Sequence, residues 1–268
     1  MFREITLGQY YPVDSVIHRL DPRVKLLGTL VFLVALFVVN SWIMYGVAAI
    51  VLAVLIKLSN VPFKFMTKGL KSIVILLLIS VSFNLFLTPG EPIVKLWILT
   101  ITREGLEIAL KMGLRLVLLV LGSSLMTLTT TPNQLTDGME KGLGIFKKIG
   151  IPVHEISMMM SIALRFIPIL VEETDKIMKA QQARGADFEN GNIIERAKAM
   201  VPILVPLFIS AFRRANDLAM AMEARCYHGG EGRTKMKPLK YEGRDRIAYI
   251  LMFLYFSACV ASRFIPLK

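Results

Sequence analysis

Two cysteines, three histidines and two tryptophans in 268 residues leave little material for most site chemistries. Cys226 and Cys259 lie in unlike surroundings, suggest no disulfide framework and are expected to be reduced. His18, His154 and His228 are scattered. Only Cys226 and His228 stand at a ligand-like spacing, and two residues fall short of the three or four that a zinc site takes. No phosphate loop of the Walker type occurs, so the chain itself is expected neither to bind nor to hydrolyse ATP. No apolar run precedes Lys25, which argues against a cleaved signal segment. Acidic residues are also scarce, 20 against 32 basic ones, and the net charge of +12 would suit a nucleic-acid partner. The apolar content excludes that reading.

Hydrophobic residues make up 54% of the chain and its mean hydropathy is +0.58, too apolar for an ordinary soluble domain. A mixed, amphipathic leader over 1–25 ends in Asp21-Pro22, which suits a helix start with Asp21 as cap and Pro22 in the first helical position. Apolar runs then predict spans over 26–39 and 42–56, a third ending near Leu87, a fourth over 104–130 and a fifth from Ile247 to about Ile265. Lys25 and Lys57 flank the first two spans and are expected to snorkel toward the interface. The β-branched stretch 93–101 reads as a small extracellular hairpin or interfacial strand. Arg115, deep in the fourth span, is expected to pair with Glu107 or with another helix. The fold class is therefore all-α, a polytopic membrane protein with about five transmembrane helices and a helical insert. The regions are 1–131, 132–246 and 247–268.

Lys and Arg gather in the 57–71 loop and in the insert, and nearly vanish at Asn40 and between Pro89 and Arg103. By the positive-inside bias, the N-terminus and the insert are cytoplasmic and the C-terminus external.

Within the insert, three helices are expected over 133–148, 153–184 and 192–226, separated by Gly150-Ile151-Pro152 and Glu189-Asn190-Gly191. Apolar faces run through Met158, Ile162 and Phe166 on the second, and through Pro202, Leu204 and Leu207 on the third. Met158, Met159 and Met160 can fill a core or form an adaptable contact surface. Glu172-Glu173 reads as a solvated or salt-bridged face. Both long helices end alike, in Ala183-Arg184-Gly185 and Ala224-Arg225-Cys226, each arginine flanked by small residues that leave its guanidinium unobstructed. A basic helix end alone is ordinary, since cations complement the macrodipole. Two matched ends in one membrane protein point to a docking device.

These boxes, the leader through Asp21-Pro22-Arg23-Val24-Lys25, and the run Ala163-Leu164-Arg165-Phe166-Ile167-Pro168 give the chain its likeness to a known family. It resembles, over nearly its whole length, the transmembrane T component of energy-coupling factor (ECF) transporters, ABC-type importers of vitamins and metal ions. Cys226 departs from the family's Ala-Arg-Gly pattern. The resemblance implies a non-catalytic scaffold in a bacterial or archaeal cell membrane, with 132–246 as its cytoplasmic coupling domain. Its partners would be two ABC ATPases, which bind the ATP and Mg, and a substrate-binding S component. Ala183, Arg184, Gly185, Ala224, Arg225 and Cys226 would dock the ATPases. Met158, Met159, Met160, Ile162, Phe166, Pro202 and Leu207 are the candidate S-component surface. A version dedicated to cobalt or nickel is the alternative. No cofactor, metal or nucleic acid is expected on this chain.

Overall fold

A computed structural model describes residues 9–96, 99–186, 188, 192–229, 236 and 238–264. Eight helices carry the described chain: α1 (Pro22–Val38), α2 (Trp42–Ser59), α3 (Phe63–Leu87), α4 (Arg103–Thr129), α5 (Pro132–Gly142), α6 (Val153–Ala183), α7 (Ile193–Glu223) and α8 (Gly243–Phe264). The exception to an all-α fold is a hairpin, the first of the two forms expected there, with β1 (Pro92–Leu96) and β2 (Leu99–Thr102) paired antiparallel and Val94 opposite Ile101. The described residues fall into two compact units, one within Glu140–Pro238 and the other within Gly8–Met139 and Leu239–Lys268.

In the second unit α4 is the hub, packing on α1, α2 and α3, while α8 lies along α1. The core gathers Ala35, Leu36, Tyr45, Ala48, Leu52, Met66, Leu121, Leu125 and Cys259, all buried. Gly122 is what lets α1 approach α4, because a Cβ there would lie 2.7 Å from Phe32 Cε1. Asp21 caps α1 as its position predicts, accepting from the Arg23 backbone N–H at 2.9 Å, with Pro22 at the first helical position. Asp21 also donates its own N–H to Asp245 Oδ1 at 2.9 Å, and Asp245 Oδ2 accepts from the Glu242 N–H. One buried carboxylate thus joins the starts of α1 and α8. Arg23 completes the joint, paired with Asp21 and lying 3.9 Å from the centre of the Tyr241 ring.

Several expectations need correction. Lys25 does not snorkel; it is buried, and its Nζ donates to the carbonyls of His18 (3.0 Å) and Thr129 (2.9 Å). The Thr129 carbonyl is one of the orphans at the C-terminus of α4, so the cation is worth more there than at the interface. Of the two pairings expected for Arg115, the one with another helix is found: its Nε donates to Tyr45 Oη in α2 at 2.9 Å and its Nη2 to the Val39 carbonyl, the open end of α1, while Glu107 is taken by Lys111 one turn on at 2.6 Å. The helix expected over 133–148 divides into α5 and a 3-10 turn at Leu143–Ile149. Gly138, Gly142 and Gly144 weaken an α-helix there.

Among the described residues α2, α4, α6 and α8 are long and apolar enough to cross a membrane, and α3 makes a fifth if its two arms, bent by 59°, count as one span. The number agrees with the sequence reading but the membership does not. At 17 residues α1 stands at the lower limit for crossing, whereas α6 passes on length and composition.

Candidate docking site

In the Glu140–Pro238 unit α6 and α7 are each 31 residues, about 45 Å long by helical rise. The sequence favours long helices at both. Asn192 and Glu195 form a reciprocal capping box at the start of α7. No glycine interrupts either helix, and their prolines are borne at Pro168, Pro202 and Pro206. The Glu189-Asn190-Gly191 break lies outside the described residues.

The two helices meet along apolar stripes and are clamped by polar contacts. Glu173 accepts from Ser210 Oγ at 2.5 Å and from Arg214 Nη2 at 2.9 Å, and Gln181 Nε2 donates to the Pro202 carbonyl at 3.5 Å. Partners descend along α7 as they ascend along α6, so the helices run in opposite directions where they touch. An apolar cleft of about 330 Å³ continues the contact, lined by Ile162, Phe166, Leu170, Ala215, Leu218 and Met222. At the start of α6, Glu140 ties the preceding turn in, accepting from Ser157 Oγ and meeting His154 Nδ1, both at 3.0 Å.

The helix ends are built alike, hydrogen bond for hydrogen bond. Arg184 N–H donates to Gln181 O, Gly185 to Gln182 O and Ala186 back to Gln181 O. Arg225 N–H donates to Met222 O, Cys226 to Glu223 O and Tyr227 back to Met222 O. In each, the residue after the arginine is left-handed, Gly185 at φ 90° and Cys226 at φ 55°. The bond that spans it is the Schellman closure of a helix end. Cysteine in place of glycine therefore changes the strain and not the geometry. A side chain in that conformation costs about 1–2 kcal/mol.

Arg184 and Arg225 are both exposed, and neither guanidinium has an ion-pair partner among the described residues. Opposite helix directions keep them apart. Gln181 sits at Pro202, so Arg225 lies roughly 35 Å farther along α7 by helical rise. Ala183, Gly185, Ala224 and Cys226 are exposed around them.

The candidate S-component residues do not form one face. Ile162 and Phe166 turn into the cleft against α7, Leu207 is half-buried, and Met158 is partly covered. Met159 (57% exposed), Met160 (51%) and Pro202 stay open, beside Leu204, Phe208 and Phe212. Sequence reasoning missed Ser210 and Arg214 as the partners of Glu173. Nothing local marks them, since they lie a whole helix away. Among the described residues no three His, Cys, Asp or Glu side chains gather as metal ligands would.

Several helices long and apolar enough to cross a membrane, in one chain with a pair of long helices that end alike, define a multi-pass helical membrane protein. Residues 14–236 match the family model described as CbiQ, cobalt transport protein. Three relatives carry the name energy-coupling factor transporter transmembrane protein EcfT. The one from Clostridium kluyveri is 56% identical over 265 residues, 98% of each chain. The one from Thermosediminibacter oceani is 53% identical, covering 98% of this chain and 99% of the relative. That from Lactococcus lactis subsp. cremoris is 44% identical, covering 94% and 95%. The chain belongs to the EcfT family, as a multi-pass transmembrane component of an ECF transporter.

Proposed function

We propose that this chain is the energy-coupling scaffold of a micronutrient importer, in which α6 and α7 carry the motion of two cytosolic ABC ATPases to a substrate-binding S component. Arg184 and Arg225 each dock one ATPase, within the boxes Ala183–Gly185 and Ala224–Cys226. The shared hydrogen-bond pattern of the two helix ends carries this reading, because two equivalent ATPases call for two equivalent contacts. A separation of roughly 35 Å suits two separate sites better than one. Arginine's planar fork supplies paired charge-assisted hydrogen bonds, which hold direction while an interface moves. ATP and Mg belong to the partner ATPases, and this chain performs no catalysis of its own. The exposed apolar residues of α6 and α7, Met159 and Met160 among them, take the S component or lipid. With the insert on the ATPase side, the N-terminus is cytoplasmic and the C-terminus external.

The test is co-purification and uptake in vesicles with Arg184→Ala, Arg225→Ala and the double variant. One truncation weakens ATPase retention, and both together abolish coupled uptake. Normal uptake by the double variant at normal expression would make the arginines ordinary helix-end charges. Topology is tested by labelling. Native Cys226 and an Asn60→Cys variant react only from the cytoplasmic side, and Pro89→Cys only from outside.

The family description as a cobalt transport protein favours a second reading, an importer dedicated to cobalt or nickel. Identifying the co-purified membrane partners separates the two: several S components mean a shared scaffold, one fixed partner a dedicated one.

A further inference from the structure

A pocket of about 540 Å³ in the membrane unit has no part in the docking reading. It opens between the leader (Asp14, Ser15, Val16, Arg19), the last turn of α2 (Lys57, Leu58) with Asn60, and Arg244 in the first turn of α8. Three cations therefore converge from three segments far apart in sequence, against one lining carboxylate.

Arg19 and Lys57 are not firmly neutralised. Arg19 pairs with Asp14 at 3.3 Å, but both side chains are largely exposed, and such pairs are weak. Arg244 is held by the exposed Glu242, which lies outside the lining. Lys57 has no ion-pair partner among the described residues. Counting Glu242 with Asp14, the balance is still positive.

The pocket's surroundings identify the kind of anion. Val16 (54% exposed) and Leu58 (47%) line the same opening as the cations, so an apolar shoulder adjoins the charged floor. Both α2 and α8 are long and apolar enough to span the membrane, and the pocket lies at the last turn of one and the first turn of the other. With α2 and α8 as spans, their ends place the pocket at the depth of lipid phosphates. A free phosphate would use the cations and leave Val16 and Leu58 in water; a phospholipid would use both.

We infer that Arg19, Lys57 and Arg244 form a binding site for the phosphate of an anionic phospholipid, with Val16 and Leu58 against the start of its acyl chains. The site anchors the leader and the starts of α2's exit and α8's entry to one leaflet.

The full chain is reconstituted in phosphatidylcholine vesicles with and without phosphatidylglycerol, released in mild detergent, and weighed by native mass spectrometry. The wild type retains phosphatidylglycerol selectively. Each cation neutralised lowers retention about five-fold, the factor expected for one basic side chain at an anionic surface, and the triple variant Arg19→Gln, Lys57→Gln, Arg244→Gln about a hundred-fold. Lys57→Glu, at an exposed helix end, serves if the triple variant fails to fold. Lys71→Glu, which removes an exposed cation outside the pocket, is the control and leaves retention unchanged. Equal losses in Lys71→Glu and Lys57→Glu would show diffuse attraction and overturn the site, as would unselective retention in the wild type. Displacement of the lipid by inorganic phosphate alone would overturn the lipid assignment.

Discussion

The two units of this chain use similar residues to opposite ends. In the membrane unit Leu36, Tyr45, Ala48 and Leu121 are buried against one another, and two of its cations are satisfied internally: Lys25 by two carbonyls, Arg115 by Tyr45 and Val39. In the Glu140–Pro238 unit only Val153, Ser157 and Ile203 are buried among the described residues, although α6 and α7 are rich in Met, Ile, Leu and Phe. Phe208 is 66% exposed. The membrane unit has a closed core beneath an apolar exterior, with Ile75 and Phe253 also more than 70% exposed; the other has almost no core, and both its end arginines are exposed. Apolar surface of that extent, outside a core, marks a lipid or partner contact. The difference separates a unit built round a core from one that leaves most of its side chains open.

Breaking that contrast should hit different measurements in the two units. The largest effect is expected from Arg184→Ala with Arg225→Ala. Truncating one member of a buried charged contact costs about 2–5 kcal/mol at the interface, so ATPase retention collapses while the thermal stability of the chain alone stays put. Lysine at both positions restores little, because it keeps charge without the fork. A fall in the isolated chain's stability would mean that the arginines serve the fold instead.

Lys25→Met is the reverse case. It leaves the His18 and Thr129 carbonyls unpaired in a buried place, at about 1–3 kcal/mol. Thermal unfolding of the purified chain reads this, with ATPase retention at the permissive temperature unchanged. An unaltered melting temperature would mean that water replaces the ammonium, and that the membrane unit is less closed than described.

Leucine at Met158, Met159 and Met160 conserves volume, and each swap is expected to cost less than about 1.5 kcal/mol. Expression is retained while binding of different S components falls unevenly. A uniform loss, or none, would remove the case for an adaptable surface. Cys226→Gly relieves a side chain held at φ 55°, and stability should rise by about 1 kcal/mol with docking preserved. A loss of docking would show that the cysteine side chain takes part in the contact.

The smallest effect is a pH dependence. Burial holds the His18 pKa below its ordinary value of 6.5. In the neutral ring, Nε2–H donates to the Tyr11 carbonyl at 3.1 Å and Ser15 Oγ–H donates to Nδ1 at 2.7 Å. The unfolded chain therefore takes up this proton first as pH falls below 6.5, and stability declines in that direction. His18→Gln should flatten the slope of melting temperature against pH over that range; an unchanged slope would place the titration elsewhere.

Much of this was legible in the residues. Asp21-Pro22 announced a capped helix, the apolar runs announced spans, and the paired Ala-Arg boxes announced matched helix ends, because caps, runs and termini are local and periodic. The 3-10 turn after α5 was not foreseen, since a helical pattern says little about which hydrogen bonds close it. Ile162 and Phe166 share a stripe with Met158, as their spacing implies, but that Ile162 and Phe166 line a cleft against α7 is seen only in the fold. Periodicity assigns a stripe to a helix without saying which neighbour covers it.

By itself the sequence determined the helical membrane class, the lengths of the two long helices α6 and α7 and the existence of two alike cationic ends, all consequences of hydropathy and of short-range backbone chemistry. Only the tertiary structure decided that Lys25 closes α4 instead of reaching for water, that Arg115 chooses Tyr45 over Glu107, and that Glu173 clamps α6 to Ser210 and Arg214. Only the folded helix end showed that Cys226 adopts the left-handed turn of Gly185. The reason is common to all four. A charged or strained group settles where its unpaired neighbours are, and those neighbours are brought near by packing, at sequence separations that no local pattern records.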